Sequence, residues 1–223
     1  MVCMTVNAKT ALAALRDSDH PFGRPLALFL MFEPADDQCL AASIFNLAIA
    51  LDSALQIPSE PLLAAIRVQW WVDALSDGTA QTAPLVTQLH AQFRTYDGLH
   101  SDIIDLIDHW QKACHNEHRD NSDGWAAVWA LVAKHMGQAV QSAIATDIGH
   151  QLHHAIRRHE QHAVAPLDRP QISALRRNDT GQKRSFLYLA ACWLRYMQRP
   201  NADANHPALV WWMLAWHLFG PPK

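Results

Sequence analysis

Apolar residues in this chain recur at intervals of three and four rather than two, and glycine is sparse, at 8 of 223 residues. That pattern predicts helices throughout and offers no sheet. The clearest helix follows Pro34, where Asp36 or Asp37 can cap the free amides, and runs over Asp37–Leu55. It is apolar on nearly every side, so its expected place is the centre of a bundle. Ile57-Pro58 ends it, Ser59 is the candidate cap of the next helix, and that helix continues from Glu60 to a stop at Gly78. The spacing predicts further helices at about Leu85–Tyr96, Asp102–Asn116, Trp125–His162 with a break near Gly137, Arg184–Arg199 and Pro207–Phe219. Expected loops are Gly78–Pro84, His118–Gly124, Ala165–Pro170 and Pro200–His206. None is long or biased enough to link two domains, and no fixed-period repeat appears.

Half of the residues are apolar, enough for one sizeable core. Only 17 % are charged, below the ~25 % usual in soluble domains. The net charge is −3, and no dense Lys/Arg run is present, so nucleic acid is not an expected partner. Cys3, Cys39, Cys114 and Cys192 lie far apart and read as free thiols of a reducing compartment. Lys9 and Arg16 interrupt the apolar residues of the N-terminus before a signal-peptide core forms. The longest apolar stretches, Pro25–Phe32 and Ala208–Phe219, are short of the ~20 residues that cross a bilayer. The expectation is a cytoplasmic protein without a transmembrane segment, or one peripheral at the membrane.

Phe45-Asn46, Glu60-Pro61 and the run Ile66-Arg67-Val68-Gln69-Trp70-Trp71-Val72-Asp73-Ala74-Leu75 resemble the squalene/phytoene synthase family, the head-to-head prenyl transferases of the all-α isoprenoid synthase fold. The likeness is to the short bacterial branch and its mitochondrial relative, a complex I assembly factor. It is strongest over residues 26–77 and weaker over 125–199. It implies that residues 1–223 form a single-domain, all-α helical bundle of the isoprenoid synthase type, shortened. It also implies a chemistry in which two acidic clusters face each other across a cavity and hold an allylic diphosphate through Mg²⁺, since carboxylates approach such an anion only through metal.

The acids of both clusters are largely missing. The first needs carboxylates four apart on the Asp37–Leu55 helix; Asp52 is present, and Gln56 stands one turn later. The second begins as the family does, with Gly137, Ala139 and Gln141, but Ile144, Asp147, Ile148 and Leu152 occupy the positions of Asn, Arg, Asp and Asp. Gln161–Pro166 is the nearest relic of the motif that should follow.

Other constellations have plainer readings. Asp73 and Asp77 share a helical face and read as surface acids, as do Asp102, Asp105 and Asp108, which the helix dipole favours by about 0.3–1 kcal/mol each. His150, His153, His154, His159 and His162 fall within thirteen residues. His150 and His154 have chelating spacing, but there is no H-E-x-x-H and Arg157 and Arg158 adjoin, so a polar exposed face is expected. Trp70 and Trp71 are expected in the core, with the lining of an apolar cavity as the alternative. Arg67, on a mostly apolar helix, is expected in a structural ion pair, with phosphate binding as the alternative. The tail helix with Trp211, Trp212 and Trp216 is apolar almost all round and must cover something: the bundle, a membrane or a partner.

The sequence therefore leads to a non-catalytic squalene/phytoene synthase-like protein that needs no cofactor. Its expected partners are an isoprenoid or lipid ligand and a membrane-associated complex that it helps to assemble. Asn46, Asp52, Arg67, Gln69, Trp70, Trp71, Asp73, Gln141 and Asp147 are the candidate cavity or family-motif residues. One rival is an active prenyl transferase with Mg²⁺ ligands relocated to Asp52, Asp73 and Asp147. Another is a helical subunit that docks through its Trp-rich C-terminal helix.

Overall fold

The computed structural model describes residues 2–57, 60–77, 83–116, 119–157, 169–176, 186–197, 202–203 and 206–219. Among them lie helices α1 (Val2–Arg16), α2 (Gly23–Leu30), α3 (Ala35–Gln56), α4 (Pro61–Asp77), α5 (Pro84–Phe93), α6 (Leu99–Ala113) and α7 (Ser122–His135). A 3-10 turn, Ala139–Gln141, leads into α8 (Ser142–Arg157), followed by α9 (Arg169–Ala174), α10 (Phe186–Met197) and α11 (Leu209–Phe219). No strand occurs among the described residues, and the helices make one all-α bundle.

The bundle is organised around α3, which packs against α1, α2, α4, α5, α6 and α7. Its buried residues, from Cys39 to Leu55, run round its circumference, as an apolar helix without a polar stripe requires. At 22 residues it is long and apolar enough by length and composition to cross a membrane, although Asp36, Asp37 and Asp52 interrupt its apolar run. Within the bundle, 72 % of its most apolar window is already buried by protein. Its start differs from expectation: Pro34 is the N-cap, no side chain caps the amides, and Asp36 and Asp37 lie in the first turn, where they oppose the dipole's positive end. The break near Gly137 is found, with φ +73°, the left-handed conformation that glycine reaches without strain. It reverses the chain so that α8 returns along α7. Ser59, Gly78 and most of Ala165–Pro170 lie outside the described residues. The periodicity did not anticipate α1 or the short α9.

Two polar devices fix the C-terminal third. Buried Glu33 accepts the backbone N–H of Phe186 at 2.7 Å and so satisfies an amide at the start of α10. At the other end, Arg176 donates to the carbonyls of Trp216 and His217 at 3.1 and 2.9 Å while its guanidinium lies 4.5 Å over the Tyr188 ring. Tyr188 also donates to Trp216, at 2.9 Å. Burial pushes the Cys192 thiol up to about 12, and raises Cys39 and Cys114 as well, so these three are inert, protonated core thiols.

The expected acidic stripe is only partly solvated. Asp102 accepts from Lys134 at 2.6 Å and from His135 at 2.8 Å, and Asp108 pairs with Lys112 one turn on. Burial pushes the Asp102 carboxyl up, but the hydrogen bonds from Lys134 and His135 outweigh it and hold the group below the usual aspartate range. A depressed folded-state value stabilises fully above the unfolded value near ~4 and is lost as pH falls through the folded one. Asp102→Asn should therefore lower the thermal midpoint at pH 7 by about 2–4 °C. That is the effect of roughly 1 kcal/mol, the upper end for a solvent-screened pair. The two proteins should converge in thermal scans as the pH falls below ~4 and through the lower folded-state value; a gap that does not shrink at all on acidification would show that shape, not charge, sets the difference.

Candidate functional site

Asp52 sits one turn before the end of α3, 2 % exposed, where α3, α6, α7 and the α1–α2 connection meet. Its first carboxylate oxygen accepts from the indole of Trp110 on α6 at 3.0 Å and from the amide of Asn121, the N-cap of α7. Its second accepts from the indole of Trp125 on α7 at 3.1 Å and from Nε2 of His20, in the α1–α2 connection, at 3.1 Å. An ionised carboxylate offers about four lone-pair directions, and here four N–H groups use them. The indoles and the amide cannot lose their protons, so the arrangement selects the charged acid and orients it.

His20 is held as firmly. Its ring stacks on Phe22 at 5.6 Å and on Trp125 at 5.4 Å. The backbone N–H of Phe22 reaches Nδ1 at 3.3 Å, which assigns the proton of the neutral ring to Nε2, where it is given to Asp52. With both nitrogens in use, His20 is a poor general base. Arg119, at φ +46°, donates to the carbonyl of Leu55 at 3.0 Å and closes the end of α3 beside the site.

A cavity of about 270 Å³ opens over this centre, lined by His20, Phe22, Asp52, Gln56, Ile57 and His153 among others. Gln56, one turn after Asp52 on α3, puts a neutral amide rather than a second carboxylate into this lining. His153 corrects the expectation of an exposed histidine face: it is 2 % exposed, on α8, with Nδ1 3.8 Å from Asp120. His150 lies 3.8 Å from Asp123 and its ring meets that of His154 at 4.6 Å, so the described histidines of this run face the acids at the start of α7. His159 and His162 lie outside the described residues. No group of three or more His, Cys, Asp or Glu able to hold a metal ion occurs among the described residues.

The remaining candidates do not converge on Asp52. Asn46 donates to the carbonyl of Ala11 at 3.0 Å and ties α3 to α1. Gln141, in the 3-10 turn, accepts from Gln138 at 3.1 Å, and Asp147 is exposed on α8. On the outer side of α4, Gln111 donates to Gln69 at 2.8 Å and Gln69 to Asp73 at 2.9 Å, in the wall of a separate surface cavity. Trp70 is 45 % exposed and Trp71 half-buried, their rings edge to face at 4.9 Å, which departs from the expected core placement. Arg67 is exposed and has no ion pair among the described residues, which departs from the expected structural pair. The α4 face is open because α3, α5 and α6 cover only part of it: Ala64, Val68, Ala74 and Leu75 are its buried residues.

Sequence reasoning missed His20, Trp110, Asn121 and Trp125, and placed His153 on an exposed face where it is buried. A signal existed: an acid embedded in an apolar helix demands buried donors, and Trp is a donor that hides in an apolar pattern. Comparison with protein-family models, curated proteins and solved structures finds no match to this chain.

Proposed function

We propose that this chain is a non-catalytic, shortened relative of the squalene/phytoene synthases that binds an isoprenoid or lipid without ionising it. The observation that carries this reading is the saturation of Asp52. The acid that stands where the family's first metal motif would lie is committed to Trp110, Trp125, Asn121 and His20, and its partner position one turn later is the neutral Gln56. Recruiting a divalent cation there would require at least one of these four donors, three of them buried, to be abandoned. The relocated-ligand reading gains nothing from the geometry, since Asp52 and Asp73 line different cavities and Asp147 lines neither. The resemblance adds a setting, the maturation of a membrane-associated complex.

Incubation of the purified chain with farnesyl or geranylgeranyl diphosphate and Mg²⁺ should release no pyrophosphate above the protein-free blank. Mg²⁺-dependent release with either substrate would overturn the reading.

The interaction-subunit reading has its own observation. One side of α11 closes the bundle through Leu209, Met213 and Trp216, while Trp211 and Phe219 are 71 % and 87 % exposed on the other. A chain that associates through this face should lose the association on Trp211→Ser, read by sedimentation.

A further inference from the structure

A second recess lies on the far side of the α3 terminus from Asp52, in the groove between α3 and α4. Ala50, Ser53, Ala54 and Ile57 line it from α3, at one-face spacing, and Arg67, Trp70 and Trp71 line it from α4. Its volume is about 270 Å³. The recess exists because α3 presents two alanines and a serine where larger side chains would meet the Trp rings.

Among the described residues, Arg67 is the single charged one in the lining, and no carboxylate balances it there. Around it the surface is apolar: Ile57, Leu62, Leu63 and Ile66 are all exposed, as is Trp70. Ser53 and Ile57 are shared with the cavity over Asp52, and Trp70 is shared with the surface cavity beyond α4, so this recess adjoins both. A lone guanidinium set into a trough of indole and aliphatic groups complements a molecule with one anionic head and one apolar chain. The head takes the planar donor fork and the chain covers the rings.

We infer that the α3–α4 groove binds a single-chain anionic amphiphile, an alkyl phosphate or carboxylate in monomeric form, with its head group on Arg67 and its chain against Trp70 and Trp71. This deepens the lipid-binding reading above and rests on it. Sealed Asp52 faces the other cavity, so the head group meets no buried negative charge in this one.

The test titrates the full chain with dodecyl phosphate below its micellar concentration, following Trp emission and, independently, heat. Dodecanol, inorganic phosphate and anionic phosphatidylglycerol vesicles are the comparison probes. Dodecyl phosphate should bind saturably with a blue shift. Arg67→Gln should weaken it at least tenfold, Arg67→Lys less, and neither should alter the response to dodecanol. Ala50→Phe, from a half-buried position on the groove floor, should abolish the shift while leaving the far-ultraviolet circular dichroism unchanged.

Equal affinity for dodecyl phosphate in wild type and Arg67→Gln would overturn the assignment, as would binding of inorganic phosphate alone with the same affinity. Response to vesicles but not to the monomeric amphiphile would make the face a membrane-docking surface and overturn it too. Pyrophosphate release would sink the non-catalytic reading without touching these outcomes, so the two proposals fail separately.

Discussion

Asp52→Ala should cost about 4 kcal/mol of folding stability or more, making it one of the most damaging single substitutions in the chain. The argument follows from what the carboxylate leaves behind. Two indole N–H groups, the Asn121 amide and the His20 ring all point at atoms that the substitution removes. Each buried donor without an acceptor costs about 1–3 kcal/mol, and three of the four, the two indoles and the Asn121 amide, are buried. Water entering the adjoining cavity can relieve part of this, which argues for the lower end of the sum. Asp52→Asn separates charge from shape. It returns one acceptor oxygen but aims an amide at donors on the other side, so it should still cost about 2 kcal/mol or more. Urea unfolding followed through the tryptophans reads both variants, with the slope unchanged if only the native state is weakened. A loss below about 1 kcal/mol for Asp52→Ala would mean that the acid is not a structural centre. It would return Asp52 to the list of groups free to meet a ligand or a metal.

The contrast between Asp52 and Arg67 shows how far the sequence could be read. The position of α3 was legible because a helix without a polar stripe has nowhere to go but the interior, and the break at Gly137 because few residues other than glycine take that backbone turn cheaply. Asp52 was legible as an oddity, an acid in that apolar helix, yet its partners come from α6, the start of α7 and the α1–α2 connection. Only tertiary folding could bring those together. Trp110 and Trp125 conceal their chemistry because their rings obey the apolar period of their helices. Arg67, Trp70 and Trp71 failed in the opposite direction. Their local pattern is that of a buried helix, but only Ala64, Val68, Ala74 and Leu75 of α4 are buried among its described residues, Trp71 is half-buried, and Arg67 and Trp70 are left exposed. His153 followed the same logic in reverse: polar in composition, it lies on the side of α8 that returns against α7. Periodicity reports how apolar a face is, and the neighbour's shape decides whether that face is covered.

Gly149→Ala should be the second large effect, and its sign is the informative part. In an exposed helix, alanine is favoured over glycine by about 1 kcal/mol, and α8 is helical here. A methyl group at this position, however, would stand 2.5 Å from Cδ1 of Trp129 and 2.9 Å from the carbonyl oxygen of Trp125. Neither can yield. The carbonyl belongs to the backbone of α7, and the Trp129 ring is fixed between Phe186, stacked at 4.9 Å, and Phe45, edge-on at 5.3 Å. Relief requires α8 to move off α7. That would carry His153 away from Asp120 and open the cavity over Asp52, so the damage reaches the polar centre as well as the packing. Overpacking of this kind costs about 1–3 kcal/mol, and with a backbone atom among the obstacles the net loss should be about 2 kcal/mol despite the helix-propensity gain. Gly98→Ala is the control: it lies at φ +76° with open space around it, so its cost is local strain alone, about 1 kcal/mol. If Gly149→Ala proves neutral or stabilising in urea, the close α7–α8 approach is wrong, and with it the placement of His153 beside the carboxylate cavity.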